Sequence, residues 1–176
     1  MPVEPIETER LELVALEPET IRHLIQGDRK KAEKAQGLSI PEEFPTRDDV
    51  DGFLSIQLHR MHASPGRRDW LARLIVTRAH LEVIGHCGFH GPPEVIGRAE
   101  IGYTVFTSFR GRGFAKEAAR ALVEWALSNG EAKVFASVSP DNAPSLAVVR
   151  SLGFKQVGTQ VDEVDGLELV FAIEKP

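Results

Sequence analysis

The chain has 176 residues, 42% hydrophobic and 27% charged, with 21 basic against 26 acidic side chains and a net charge of −5. That length suits one hydrophobic core and is short for two, and the acidic balance argues against a dedicated nucleic-acid or anionic-membrane binder. Cys87 is the only cysteine, which excludes an internal disulfide and a thiolate metal cage. The N-terminal stretch lacks an apolar signal core and no apolar run approaches membrane-spanning length, so a cytoplasmic location is the default expectation.

In chain order, Glu7 to Leu16 reads as a first strand, with Leu11 and Leu13 on one face. Pro18 suits the first turn of a short helix carrying Ile21, Leu24 and Ile25, ended near Gly27. The charged run 28–36 is helix-prone with an alanine stripe, and 38–45 is a loop. Thr46 looks like the N-cap of a helix running to about Met61 and burying Val50, Phe53, Leu54, Leu58 and Met61. Its acidic start (Glu42, Glu43, Asp48, Asp49, Asp51) either complements the helix dipole or attracts a cationic partner.

Three strands follow, over 69–77, 81–90 and 98–106, with 91–97 as a loop. Trp70, Ala72, Leu74 and Val76 alternate with Leu71, Arg73 and Ile75 in the first of them. In His86-Cys87-x-x-His90 the two histidines share a strand face and the cysteine points the other way, so no metal site is expected there. Cys87 reads as a small buried hydrophobe.

The stretch Glu100 to Ala115 is strand, then the turn Arg110-Gly111-Arg112-Gly113, then a long amphipathic helix ended by Asn129-Gly130. Strand, glycine turn and helix N-terminus form an anion site, because the first helical N–H groups lack partners and glycine lets backbone approach a phosphate. The P-loop pattern is absent, and the dinucleotide fingerprint fails at Lys116. A strand at 133–138, a helix from Asn142 to Leu152 and a closing hairpin of 155–161 with 167–173 complete the chain.

Arg110, Gly113 and Ala115 meet the pattern [RQ]-x-x-G-x-[GA], and AEIGYTVF…RGRGFAKEAA resembles the GNAT superfamily of N-acetyltransferases, its ribosomal-protein N-terminal acetyltransferase branch in particular. Thr8-Glu9-Arg10-Leu11-Glu12-Leu13 resembles the family's opening strand, and Asn142-x-x-Ser145 followed by Leu152-Gly153-Phe154 resembles its second acetyl-CoA element. The resemblance spans the chain. It implies one α/β (α+β) domain over residues 1–176, a central mixed, mostly antiparallel sheet of about seven strands flanked by helices on both faces.

The resemblance also implies acetyl-CoA as co-substrate, with no metal. Its pyrophosphate would lie on Arg110, Gly111, Arg112, Gly113, Phe114, Ala115 and Lys116, and its pantetheine arm would pair with the backbone of Tyr103, Thr104 and Val105 and pass Asn142 and Ser145. The N–H near Tyr103 is then the oxyanion donor, and Glu100 is the first choice for the base, with Glu82 and His86 as fallbacks, His86 titrating near neutrality. Val149 stands where many relatives carry a proton-donating tyrosine, which leaves Ser145 or water for that task. The acceptor is a primary amine, a protein N-terminus or a small molecule, and a homodimer is left open. A catalytically silent acyl-CoA-binding or regulatory module is the alternative.

Overall fold

The computed structural model describes residues 2–175. Eight strands form one sheet in the order β1-β2-β3-β4-β5-β6-β8-β7. They are β1 (Ile6–Glu7), β2 (Leu11–Ala15), β3 (Ala72–Thr77), β4 (Val83–Phe89), β5 (Ala99–Val105), β6 (Lys133–Val138), β7 (Lys155–Asp162) and β8 (Gly166–Glu174). Among the described residues only β5 and β6 run parallel. The helices are α1 (Pro18–Ile25), α2 (Arg29–Gln36), α3 (Arg47–Asp49), α4 (Ser55–Ala63), α5 (Pro93–Ile96), α6 (Phe114–Ser128) and α7 (Ala143–Ser151). No helix among the described residues is long and apolar enough to cross a membrane.

The count exceeds the expected seven strands because the opening strand folds back on itself. Thr8 Oγ1 accepts the Leu11 N–H at 2.8 Å, closing a turn that pairs Ile6 with Leu13. Trp70 was expected on a strand but ends a 3₁₀ stretch (Pro65–Trp70), where its ring packs on Phe89 and Trp125. The helix expected from Thr46 forms with its capping box, but Val50–Leu54 is a π-helical segment between α3 and α4. The expected loop 91–97 holds the single turn α5.

Each face of the sheet buries its own apolar cluster. One unites Leu11, Leu13, Ile84, Cys87, Ile101 and Val134 with Ala118, Leu122 and Val149 of α6 and α7. The other packs Leu16, Leu74, Val76 and Phe106 against Ile21, Leu24, Phe44, Leu54 and Met61. Strand parity decides the sorting: in β5, Ile101, Tyr103 and Val105 go with the α6 and α7 side, while Glu100, Gly102 and Thr104 fall on the other.

Candidate active site

The glycine turn and α6 stand as the sequence implies. Gly111 and Gly113 adopt φ of 76° and 79°, backbone that favours glycine. Gly113 is the N-cap of α6 and supplies no side-chain cap. The first bond of the helix runs from Glu117 N to Gly113 O, so the N–H groups of Phe114, Ala115 and Lys116 have no intrahelical partner. Arg110 Nε turns back and donates to Val105 O at 2.9 Å, tying the turn to the end of β5.

A brace from the N-terminus holds this turn. Glu117 Oε1 accepts from Thr8 Oγ1 at 2.6 Å and from Arg10 N at 2.8 Å, and Arg10 Nε pairs with Glu117 Oε2 at 2.6 Å. Arg10 Nη1 donates to Arg112 O at 2.9 Å, and its guanidinium lies 4.6 Å over the Phe114 ring. These partners hold the Glu117 carboxyl below its usual value despite the cost of burial. Glu117→Ala is expected to lower unfolding free energy by about 2 kcal/mol, since charge-assisted hydrogen bonds are lost. Urea denaturation measures it, and a change below about 0.5 kcal/mol would show the brace to be slack.

Beyond the turn the sheet opens. β5 and β6 pair only at Ala99–Val134 and Glu100–Phe135 and then diverge. Hydrogen bonds from His90 N to Glu100 O and from Phe106 N to Ile84 O fix the β4–β5 ladder on the even residues of β5. Thr104 therefore spends its backbone groups on β4, and only its side chain faces the cleft. The N–H and C=O of Tyr103 point the other way, into the gap. Of the three residues expected to receive the pantetheine arm, Tyr103 has both groups there, whereas the Val105 carbonyl is already taken by Arg110.

The gap is part of a cleft of about 640 Å³. On one side it meets Ser139, Asn142 and Ser145 at the start of α7. Asn142 Oδ1 accepts the Ser145 N–H at 3.2 Å, the capping role, and leaves its amide nitrogen at the cleft. The Tyr103 hydroxyl donates to Ser145 O at 3.4 Å, and burial pushes its pKa up. Val149 is fully buried in the core. The chain's single tyrosine thus reaches α7 from the strand, which linear spacing could not reveal.

On the other side the cleft meets Asp49, Phe53, Gln57 and Arg60 of the α3–π–α4 helix. Glu100, 5% exposed, is held on both oxygens: Arg98 donates to Oε2 at 2.7 Å through Nε and Ser137 Oγ donates to Oε1 at 2.5 Å. Arg98 Nη2 reaches Gln160 at 2.9 Å, and Gln160 Nε2 donates to Ser137 Oγ at 3.0 Å and to Glu168 at 2.8 Å. His90, partly exposed, places Nδ1 3.8 Å from Glu100 Oε1. Its ring lies over Gly102, where an added Cβ would come within 3.0 Å of Nε2.

Several expectations need correction here. His86 does not titrate near neutrality: burial drives its pKa down to about 4, with its ring stacked on Phe53 at 3.8 Å between centroids. Glu82 sits exposed on the turn before β4 and does not line the cleft. Of the acidic cluster at the helix start only Asp49 lines it. Asp49 is also the capping-box acid, and Asp51 pairs with Arg47 at 2.8 Å. Cys87 is fully buried with its pKa pushed up to about 12, in keeping with a hydrophobe. Sequence reasoning missed Arg98, Ser137 and His90 around Glu100, and Gln160 behind Arg98 and Ser137. Only the alternation of β5 and β6 hinted that Glu100 and Ser137 would share a face.

A family model for the acetyltransferase (GNAT) domain matches residues 10–155. The uncharacterized N-acetyltransferase YjdG of Bacillus subtilis (strain 168) is 30% identical over 152 residues, 85% of this chain and 88% of that protein. The uncharacterized N-acetyltransferase p20 of Bacillus licheniformis is 38% identical over 85 residues, and this match spans 48% of either chain. Among solved structures, RimL, a ribosomal L7/L12 alpha-N-protein acetyltransferase in complex with coenzyme A, superposes with a TM-score of 0.65. It is 22% identical over 97% of this chain and 98% of its own. The turn, the split sheet and these relatives agree, and the chain belongs to the GNAT acetyltransferase family.

Proposed function

We propose that this protein moves an acetyl group from acetyl-CoA directly to a primary amine. The observation that carries this reading is the gap between β5 and β6, where the edge groups of Tyr103 lie open beside a glycine turn and unpartnered helical N–H groups. A pantetheine arm carries amide donors and acceptors, so it can add to β5 as a strand would. A pyrophosphate suits the N–H groups of Phe114, Ala115 and Lys116, with Arg112 and Lys116 supplying charge.

The Tyr103 N–H would then meet the thioester oxygen as negative charge grows there. Ser145, or the Tyr103 hydroxyl beside it, would then protonate the departing sulfur. Carboxylates of Asp49, Asp165 and Glu168 around the opposite mouth favour a cationic acceptor. Both a protein N-terminus and a small amine meet that condition. The likeness to RimL adds weight to the first.

Free-thiol release from acetyl-CoA with a panel of N-terminal peptides, polyamines and amino acids tests this directly. The expected result is saturable release with at least one amine. Tight acetyl-CoA binding without release from any of them would instead mark a silent acyl-CoA-binding module.

A further inference from the structure

We infer that His90 is the group that takes the proton from the acceptor amine, with Glu100 behind it as a positioning residue. This rests on the acetyl-transfer reading above. The sequence favours Glu100 for the task, but its two oxygens are committed to Arg98 and Ser137 inside the protein. Glu100 does not line the cleft, and its Oε1 faces His90 Nδ1 at 3.8 Å.

The other titratable groups of the cleft fare no better. His86 is 8% exposed and stacked on Phe53, on the far side of Gly88 from His90. Asp49 is engaged in its capping box, and Glu168 accepts from Gln160. Asp165 lies on the exposed turn between β7 and β8, at the rim. Cys87 faces the core on the other side of the sheet.

His90 differs on each count. Its side chain is 43% exposed, so an acceptor reaches it, and no hydrogen bond among the described residues holds either ring nitrogen. Nδ1 faces Glu100, while Nε2 hangs over Gly102. Gly102 precedes Tyr103, the residue whose N–H is open for the thioester oxygen, and consecutive Cα atoms are only about 3.8 Å apart. The imidazole therefore stands on the face from which an amine approaches, while the donor strand-pairs along the edge. A side chain at 102 would displace it, which gives the glycine a function.

The charges around His90 come from every neighbouring element. Burial lowers its pKa and outweighs Glu100 of β5 and Glu168 of β8, which raise it; Arg60 of α4 and Arg98 lower it further. Asp162 of β7 also lies within its field. The net direction is down, so the ring is neutral at pH 7 and able to accept a proton.

In the step itself, the ammonium gives its first proton to His90 Nε2, and the freed lone pair forms the C–N bond to the thioester carbon. The C–S bond then breaks and sulfur leaves with the bonding pair. The second proton, shed from nitrogen as the adduct collapses, balances the thiolate to give the CoA thiol. The imidazolium returns its proton to bulk water.

The test uses the full chain, acetyl-CoA and glycinamide, a primary amine that mimics a peptide N-terminus, with thiol release as readout. His90→Gln is expected to lower turnover about 100-fold, the scale of a lost general base, with unchanged acetyl-CoA affinity by calorimetry. The wild-type rate should fall at acid pH as His90 protonates; in the variant that limb should move up to the ionisation of the amine itself, so that the loss shrinks at high pH. Added imidazole should restore part of the rate to His90→Ala. Turnover within threefold of wild type at pH 7, or an acid limb left unmoved by the substitution, would overturn the assignment. So would a loss that imidazole leaves untouched in a folded, acetyl-CoA-binding variant. Absence of thiol release by the wild type itself would strike at the acetyl-transfer reading instead.

Discussion

Gly113→Asp should weaken acetyl-CoA binding by about 100-fold or more while the protein stays folded. Two physical effects set the balance. At a φ of 79° an L-residue is strained, but aspartate tolerates the left-handed region better than most, so the fold should lose only about 1 kcal/mol. An added Cβ meets nothing closer than Arg10 Nη2 at 3.5 Å, an ordinary contact. The cost to binding is larger, since a carboxylate placed against a pyrophosphate opposes like charge, worth several kcal/mol, and about 3 kcal/mol is already some 100-fold. Calorimetry with acetyl-CoA, beside a thermal melt, separates the two. Unchanged affinity would remove the turn from the cofactor site.

This turn was the most legible part of the chain, because its evidence is local. A β-forming run, two glycines within three residues and an amphipathic helix each carry their own periodicity, and β5, α6 and β6 fall where they were expected. The network around Glu100 was not legible. Arg98 and Glu100 are neighbours in sequence, but Ser137 and Gln160 arrive from β6 and β7 through a sheet order that periodicity does not encode. The same holds for Tyr103 and Ser145, which meet only because α7 packs beside β5. The π segment at Val50–Leu54 left no trace in the apolar pattern, yet Phe53 within it meets His86 across the cleft.

Glu100→Gln is the second substitution with a large expected effect. Glutamine keeps the shape but removes the charge that faces Arg98, whose side chain is 28% exposed, and stability should fall by about 2 kcal/mol. Turnover should drop by about 10- to 100-fold. The pH profile tells the two possible roles apart. Glu100 raises the His90 pKa, so its loss lets burial act more fully and the pKa falls further. The acid limb then shifts to lower pH while the plateau drops. If Glu100 were itself the base, the loss would be greatest near pH 7 and would shrink at high pH, where the amine deprotonates unaided. Rate measurements from pH 5 to 10 decide between them.

The β5–β6 seam has a mechanical consequence. Strands β1 to β5 form one plate and β6 to β8 another, joined edge to edge by two residue pairs at one end. A joint so short resists sliding but offers little stiffness against rotation, so the angle between the plates must be set from outside the sheet. Helix α6 does this: it packs on β1, β2, β4 and β5 and reaches across to β6, a splint over the hinge. The end of that splint is the glycine turn, clamped by Arg10 and Glu117 to the far edge of the first plate. Any load placed on the turn is therefore carried along α6 to both plates, and the width of the gap is governed from the same point that would grip a phosphate.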